Sequence, residues 1–129
     1  MSEPEPPYVC PVDVPLRHLG GKWKLIVCFY LLQRPCRHGE LTRLIPQVSH
    51  KMLTQQLREL EASGLVRRTV FDQVPPRVEY SVEEAERAAL EPLVAAMCRW
   101  GLRYVDGHGG EVLTTSLPDG FLPSRPQQE

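Results

Sequence analysis

The sequence has no uninterrupted apolar run of the roughly 18 residues that a membrane-spanning helix requires, so it predicts no membrane span. It also lacks the pattern of a secretory leader. Its first residues, "MSEPEPPY", are acidic and proline-rich, where a leader would set basic residues ahead of an apolar stretch. A cytoplasmic location is expected. Cysteine is sparse, and four thiols in a cytoplasmic chain are expected to be free rather than a disulfide framework. Catalytic signatures are missing too. There is no glycine-rich phosphate loop, no nucleophile elbow and no HExxH. The spacing of Cys28, Cys36 and His38 does not build a tetrahedral zinc site. Neither an enzyme nor a bound cofactor or metal is expected.

What is present is unevenly distributed charge. The net charge of −1 argues at first against a nucleic-acid partner. Residues 17–80, however, hold eleven Lys and Arg against five Asp and Glu, a local excess of six. The rest of the chain is acidic. A basic block between acidic flanks can steer an anionic partner although the total is near zero. A solvated helical surface could give the same count.

Composition divides the 129 residues into flexible tails at 1–9 and 106–129 and one domain at 10–105. The domain reads helix, helix, helix, helix, hairpin, helix. Val12, Leu16 and Leu19 suggest a first helix, starting either at Pro11 with a kink or near Pro15, and ending at Gly20-Gly21. "KWKLIVCFYLL" is apolar nearly all round and should be the buried central helix. A short third helix, about residues 39–44, should turn Leu41, Leu44 and Ile45 inward. Ser81 with Glu84 predicts a capping box at the start of the last helix, and Pro92 should kink that helix unless partners compensate.

The fourth helix carries the chemistry. In "SHKMLTQQLRELEASG", Ser49 is a good N-cap and Gly64 the expected residue just past the end. Leu53, Leu57 and Leu60 form an inward stripe. Lys51, Gln55 and Arg58 repeat at the same spacing on the other side, joined near the N-terminus by Ser49, His50 and Thr54. "LVRRTVF" and "RVEYS" then read as strands around a "DQVPP" tip. The fold expected is mainly α with a small β-hairpin, a winged helix-turn-helix. Its exposed side chains suit double-stranded DNA. Gln bonds adenine, Lys and Arg bond guanine in a major groove wide enough for a helix, and the free N–H groups of a first turn suit phosphate. An ordinary amphipathic surface helix would show the same leucine stripe. The basic hairpin beside it tips the balance. Arg67 and Arg68 are neighbours and must point to opposite faces of a strand, so at most one serves DNA by that route. Arg68 and Arg77 are the wing candidates, Arg77 because it adjoins the stiff Pro75-Pro76 tip.

"CPVDVPLRHLGGKWKLIVCFYLL", "RHGELTRLIPQVSHKMLTQQLRELEASGLVRRTVFDQVPPRVEYSV" and "MCRWG" together resemble the HxlR-type transcriptional regulators, a winged helix-turn-helix family. The resemblance spans about residues 10–101. It implies a homodimer built from the first and last helices. It further implies one recognition helix per subunit, here 49–63, in the major groove, with a wing at 72–77 near the backbone or minor groove. Two positions depart from the family pattern. His38 stands where an aromatic, typically Phe, is usual, and is read as a partly buried core residue. Pro15 stands where a good helix former is usual, which bears on the shape of the first helix. Many family members carry a cysteine before proline at the place of Cys10, and some use it to sense oxidants or electrophiles. Sensing needs the thiolate, which a helix beginning at Pro11 would favour and one beginning at Pro15 would not. An inert N-terminal thiol is the alternative.

The last helix carries Met97, Trp100, Leu102 and Tyr104 close together, more apolar surface than a small domain easily covers. Dimerisation would cover it, as would packing on the first helix. A two-fold dimer would read a palindrome with half-sites about 10 bp apart or a multiple of that. A small-molecule or electrophile effector could occupy apolar surface between the pairing helices and the reading domain. The competing function is a winged-helix protein-interaction module that binds no DNA.

Overall fold

The structure, a computed structural model, describes residues 5–114, so parts of the two expected tails, 1–4 and 115–129, lie outside the described residues. The chain runs α1 (Asp13–Leu19), α2 (Lys24–Leu31), α3 (His38–Leu44), α4 (His50–Ala62), β1 (Val66–Phe71), β2 (Arg77–Val82) and α5 (Glu84–His108). This is the expected order of elements.

The first helix starts at neither proline. It begins at Asp13, whose carboxylate accepts a hydrogen bond from the Val9 N–H at 2.8 Å. Pro15 falls within the first turn, where a backbone N–H has no helical partner to lose, so it is tolerated without a kink. The helix ends where Gly20 approaches it. A Cβ there would collide with the Leu16 carbonyl oxygen.

α2 is central as expected. Val27, Cys28 and Leu31 are fully buried, and burial pushes the Cys28 thiol up to about 12. Leu25, Ile26, Phe29 and Tyr30 are half-buried against the same core. Leu41 and Ile45 of the α3 region point inward. Leu44 does not: it is 38% exposed and borders a cavity, because the chain unwinds at Ile45 and the turn to α4 leaves that side uncovered. The α4 stripe of Leu53, Leu57 and Leu60 is at most 1% exposed. Burying each such leucine contributes about 2 kcal/mol. That term, more than helix propensity, fixes which side of α4 faces out.

β1 and β2 pair antiparallel from Val66↔Val82 to Phe71↔Arg77. Cys36 bridges the other side of β2 by two backbone hydrogen bonds with Tyr80, at 3.0 and 2.7 Å. This pairing overturns the capping box expected at Ser81. Ser81 is a strand residue opposite Arg67, and Val82 stays in the ladder because it forms a buried pair with Val66. The Glu83 N–H still bonds the Leu65 carbonyl at 2.9 Å, so α5 begins only at Glu84, without a side-chain cap. α5 then passes through Pro92 as one helix and continues to His108, beyond the expected domain end at 105. Leu90, Val94 and Ala95 meet the core, whereas Leu93, Met97, Trp100 and Tyr104 are exposed. Trp100, Tyr104 and His108 stack ring on ring along it, with centroids 5.0 and 4.1 Å apart.

Candidate nucleic-acid interface

α4, the candidate reading helix, is built outward from its leucines. Ser49 is extended, and its hydroxyl oxygen accepts from the Met52 N–H at 3.1 Å, the N-cap that the sequence predicts. Gly64, with φ of +77°, lets the chain reverse after Ser63. With the leucine side held down, Lys51, Gln55 and Arg58 are exposed. Among the described residues they make no ion pair and no side-chain hydrogen bond. They are free to engage a ligand.

The other two members of the expected set are already engaged. Thr54 is half-buried and donates its hydroxyl proton to the His50 carbonyl at 2.9 Å. Its oxygen must therefore accept from His38 Nε2, 3.0 Å away, which fixes the Nε2–H form of that imidazole. His50 is exposed, with its ring centroid 4.3 Å from that of His38. Thr54 thus braces the helix rather than extending from it. His38 is half-buried, in keeping with the core role expected for it, but it also ties α3 to α4. Burial first, and then the neighbouring His50 imidazole, holds the His38 imidazole below its ordinary value.

Two further supports escape inspection of the sequence. Lys24 Nζ of α2 sits 3.4 Å from Glu59 Oε2 of α4, with the Lys24 side chain only 14% exposed. At the start of α3, the Glu40 carboxylate accepts from the Arg37 N–H at 3.0 Å and from Arg34 Nη1 at 2.8 Å. The Arg37 N–H first, and then the Arg34 guanidinium, lower its pKa to about 2. Glu40 three residues after Arg37 is a local signal that could have been read. The Lys24–Glu59 pair spans two helices and leaves none.

The hairpin separates its three arginines. Arg67, on the face opposite Val66, donates through Nε to Glu83 at 3.0 Å. Arg68, across from Tyr80, is exposed and has no ion pair among the described residues. Arg77 is half-buried: its guanidinium lies 4.2 Å from the Phe71 ring centroid and 3.8 Å from the Glu79 carboxylate. Its buried Nε has no partner. Of the two wing candidates, Arg68 is the freer.

Cys10 is exposed at the entry to α1. Its carbonyl accepts from the Asp13 N–H at 3.0 Å, and the segment before it is pinned. Tyr8 bonds His18 at 2.6 Å, and the Arg17 guanidinium covers the Tyr8 ring at 3.9 Å. Cys36 is buried and Cys98 partly so, and desolvation raises the pKa of both thiols. Among the described residues no cluster of three or more His, Cys, Asp and Glu could hold a metal, and no helix is long and apolar enough to cross a membrane.

A capped reading helix, a helix packed across it and a two-stranded wing form the winged helix-turn-helix arrangement. The family model for the HxlR-like helix-turn-helix matches residues 18–108. The chain belongs to this family. Among HxlR-like relatives, the HTH-type transcriptional regulator YkvN of Bacillus subtilis (strain 168) is 46% identical over 99 residues, 77% of this chain and 83% of its own. The redox regulator HypR in its oxidised form superposes with a TM-score of 0.69 at 48% identity, covering 73% of this chain and 96% of that one. The reduced form of the transcriptional regulator YodB from B. subtilis gives a TM-score of 0.66 at 31% identity, over 80% and 99% of the two chains. The HxlR-like chain is accordingly a helix-turn-helix transcriptional regulator, with α3 and α4 as its helix-turn-helix and β1–β2 as its wing.

Proposed function

We propose that this regulator is a cytoplasmic repressor that acts by binding rather than catalysis, reading a palindromic operator as a homodimer through residues 10–105. The observation that carries the reading is the free row of Lys51, Gln55 and Arg58 on a helix whose other side is locked by Leu53, Leu57 and Leu60. Ser49 and His50 border the first-turn N–H groups, where a phosphate is favoured. Arg68, with Arg77 beside the hairpin tip, faces the DNA backbone or minor groove. Thr54 contributes by bracing the helix start.

Dimerisation through α1 and α5 would cover Val12, Leu16, Met97, Trp100 and Tyr104, all exposed in the single chain. Oxidants or electrophiles would act at Cys10, the exposed cysteine of the four. The reading is tested by selecting genomic fragments with the purified protein at about 150 mM salt, with a Lys51→Ala/Gln55→Ala double variant alongside. A palindromic motif enriched by wild type and lost in the variant supports it. Motif enrichment that survives the double variant moves the contact off α4. No enrichment from either the reduced or the oxidised protein favours a protein-interaction module.

A further inference from the structure

α4 makes one exception to its division into apolar inside and polar outside. Met52, in the first turn, is 42% exposed, and among the described residues it is the one large apolar side chain of α4 that stays out of the core. Single exposed apolar residues are ordinary on a protein surface. Three features set Met52 apart from such scatter.

The first is its place. It directly follows Lys51 and stands three residues before Gln55, so its side chain adjoins that of Gln55 on the helix surface. The N-terminal residues of a recognition helix are those that meet base edges in the major groove. The second is its backbone. The Met52 N–H already donates to the Ser49 hydroxyl oxygen at 3.1 Å, so it is not free for a phosphate, and the side chain is what the residue offers. The third is restraint. The Gln56 side-chain amide donates to the Met52 sulfur at 3.3 Å, and Gln56 is itself half-buried. Methionine is a flexible side chain with three rotatable bonds. Holding its sulfur in advance lowers the rotamer entropy lost when it meets a ligand.

The major groove displays one apolar group that side chains read, the C5 methyl of thymine. A thioether suits that methyl and offers little to the donors and acceptors of the other bases. We propose that Met52 is a specificity-determining residue that reads a thymine methyl in each half-site, with Gln56 as the positioning residue that holds its sulfur. The inference rests on the DNA-reading function above and deepens it. Side chains three apart on a helix are separated by about 5–6 Å, and base pairs are stacked about 3.4 Å apart. The thymine therefore lies within about two base pairs of the one that Gln55 contacts.

The test uses the DNA fragment selected above, with each thymine replaced in turn by deoxyuridine, which pairs as thymine does and lacks only the methyl group. Fluorescence anisotropy gives the affinity of wild type, Met52→Ala, Met52→Leu and Gln56→Ala for each fragment. In wild type, deoxyuridine at one thymine per half-site, within about two base pairs of the position where Gln55→Ala relaxes specificity, should weaken binding about fourfold per half-site, the loss expected for one buried methyl group. Met52→Ala should bind the two fragments equally. Met52→Leu, which restores an apolar side chain, should recover most of the difference, and Gln56→Ala should keep only part of it. Each comparison is a ratio of two fragments within one variant, so a general loss of stability cancels. The absence of a sensitive thymine at that place overturns the proposal. So does a sensitivity that persists undiminished in Met52→Ala, which would belong to DNA shape or to another side chain. A ratio unchanged in Gln56→Ala overturns the role given to Gln56. A chain that selects no DNA overturns the reading function and this inference with it, whereas sequence-selective binding without a methyl effect overturns this inference alone.

Discussion

His38 and Thr54 join the two helices of the helix-turn-helix through a 3.0 Å hydrogen bond in which the imidazole donates. Thr54→Val leaves the half-buried His38 Nε2–H without its acceptor and should cost about 1 kcal/mol in chemical denaturation. The same pair makes a pH prediction. The folded state holds His38 below its ordinary value of 6.5, so the unfolded chain binds the proton more readily. Stability is complete above that value and falls as pH drops through 6.5 toward the folded value. His38→Phe, which restores the aromatic usual in the family, should flatten this part of the stability–pH curve. An unchanged slope would show that other groups set it.

Lys51 and Gln55 should fail differently when replaced. On the proposed reading, Lys51→Ala removes a cation that would face phosphate or guanine, and should weaken binding and reduce the slope of log affinity against log salt by about 1. Gln55→Ala should leave that slope alone and cost about 1–3 kcal/mol of discrimination at one base pair. Fluorescence anisotropy at four salt concentrations separates the two.

The four thiols should react in order of access. Cys10 is exposed, Cys98 partly buried, and Cys36 and Cys28 buried. Burial holds the Cys28 thiol up at about 12, far from its reactive form at neutral pH. An aromatic disulfide reagent on the folded protein should give one fast thiol, lost in Cys10→Ser, with the buried pair released only by denaturant. Modification of Cys98 as fast as Cys10 would remove the basis for a sensing role at the N-terminus.

The supports of α4 should differ in strength. Leu57→Ala opens a cavity beneath the reading helix and should cost about 2–5 kcal/mol. Glu59→Gln breaks the contact with Lys24, but the Glu59 side chain is 43% exposed, so its cost should stay under about 1 kcal/mol. Thermal melts of the two variants check the ranking.

Much of this arrangement is legible in the sequence because its signals are local. The Ser49 cap, the leucine spacing, Gly64 and the proline tip each act within a few residues of where they are read. The errors occur where a distant partner decides. Ser81 and Glu84 have the letters of a capping box, yet Val66, sixteen residues away, keeps Val82 in a buried strand pair. Pro15 looks like a break until the start at Asp13 puts it in the one turn that can spare its N–H. The division of labour among Arg67, Arg68 and Arg77 depends on Glu83 and Phe71, whose relation to them only the register supplies. Thr54 reads as an outward polar residue, and only the packing of α3 shows its hydroxyl already spent.

The bridge between Cys36 and Tyr80 has a consequence for how the protein keeps to itself. Among the described residues β2 has neighbours on both sides, β1 along its length and Cys36 at one point, so the longer open edge of the sheet belongs to β1. An open strand edge is a template for a passing chain, and charged side chains along it are a common guard. Arg67 and Arg68, both exposed, sit in the middle of this one. A strand from another copy would have to lie across two guanidinium groups to join it. Arg68, proposed above to face DNA, and Arg67, held by Glu83, thus also guard the sheet against self-association.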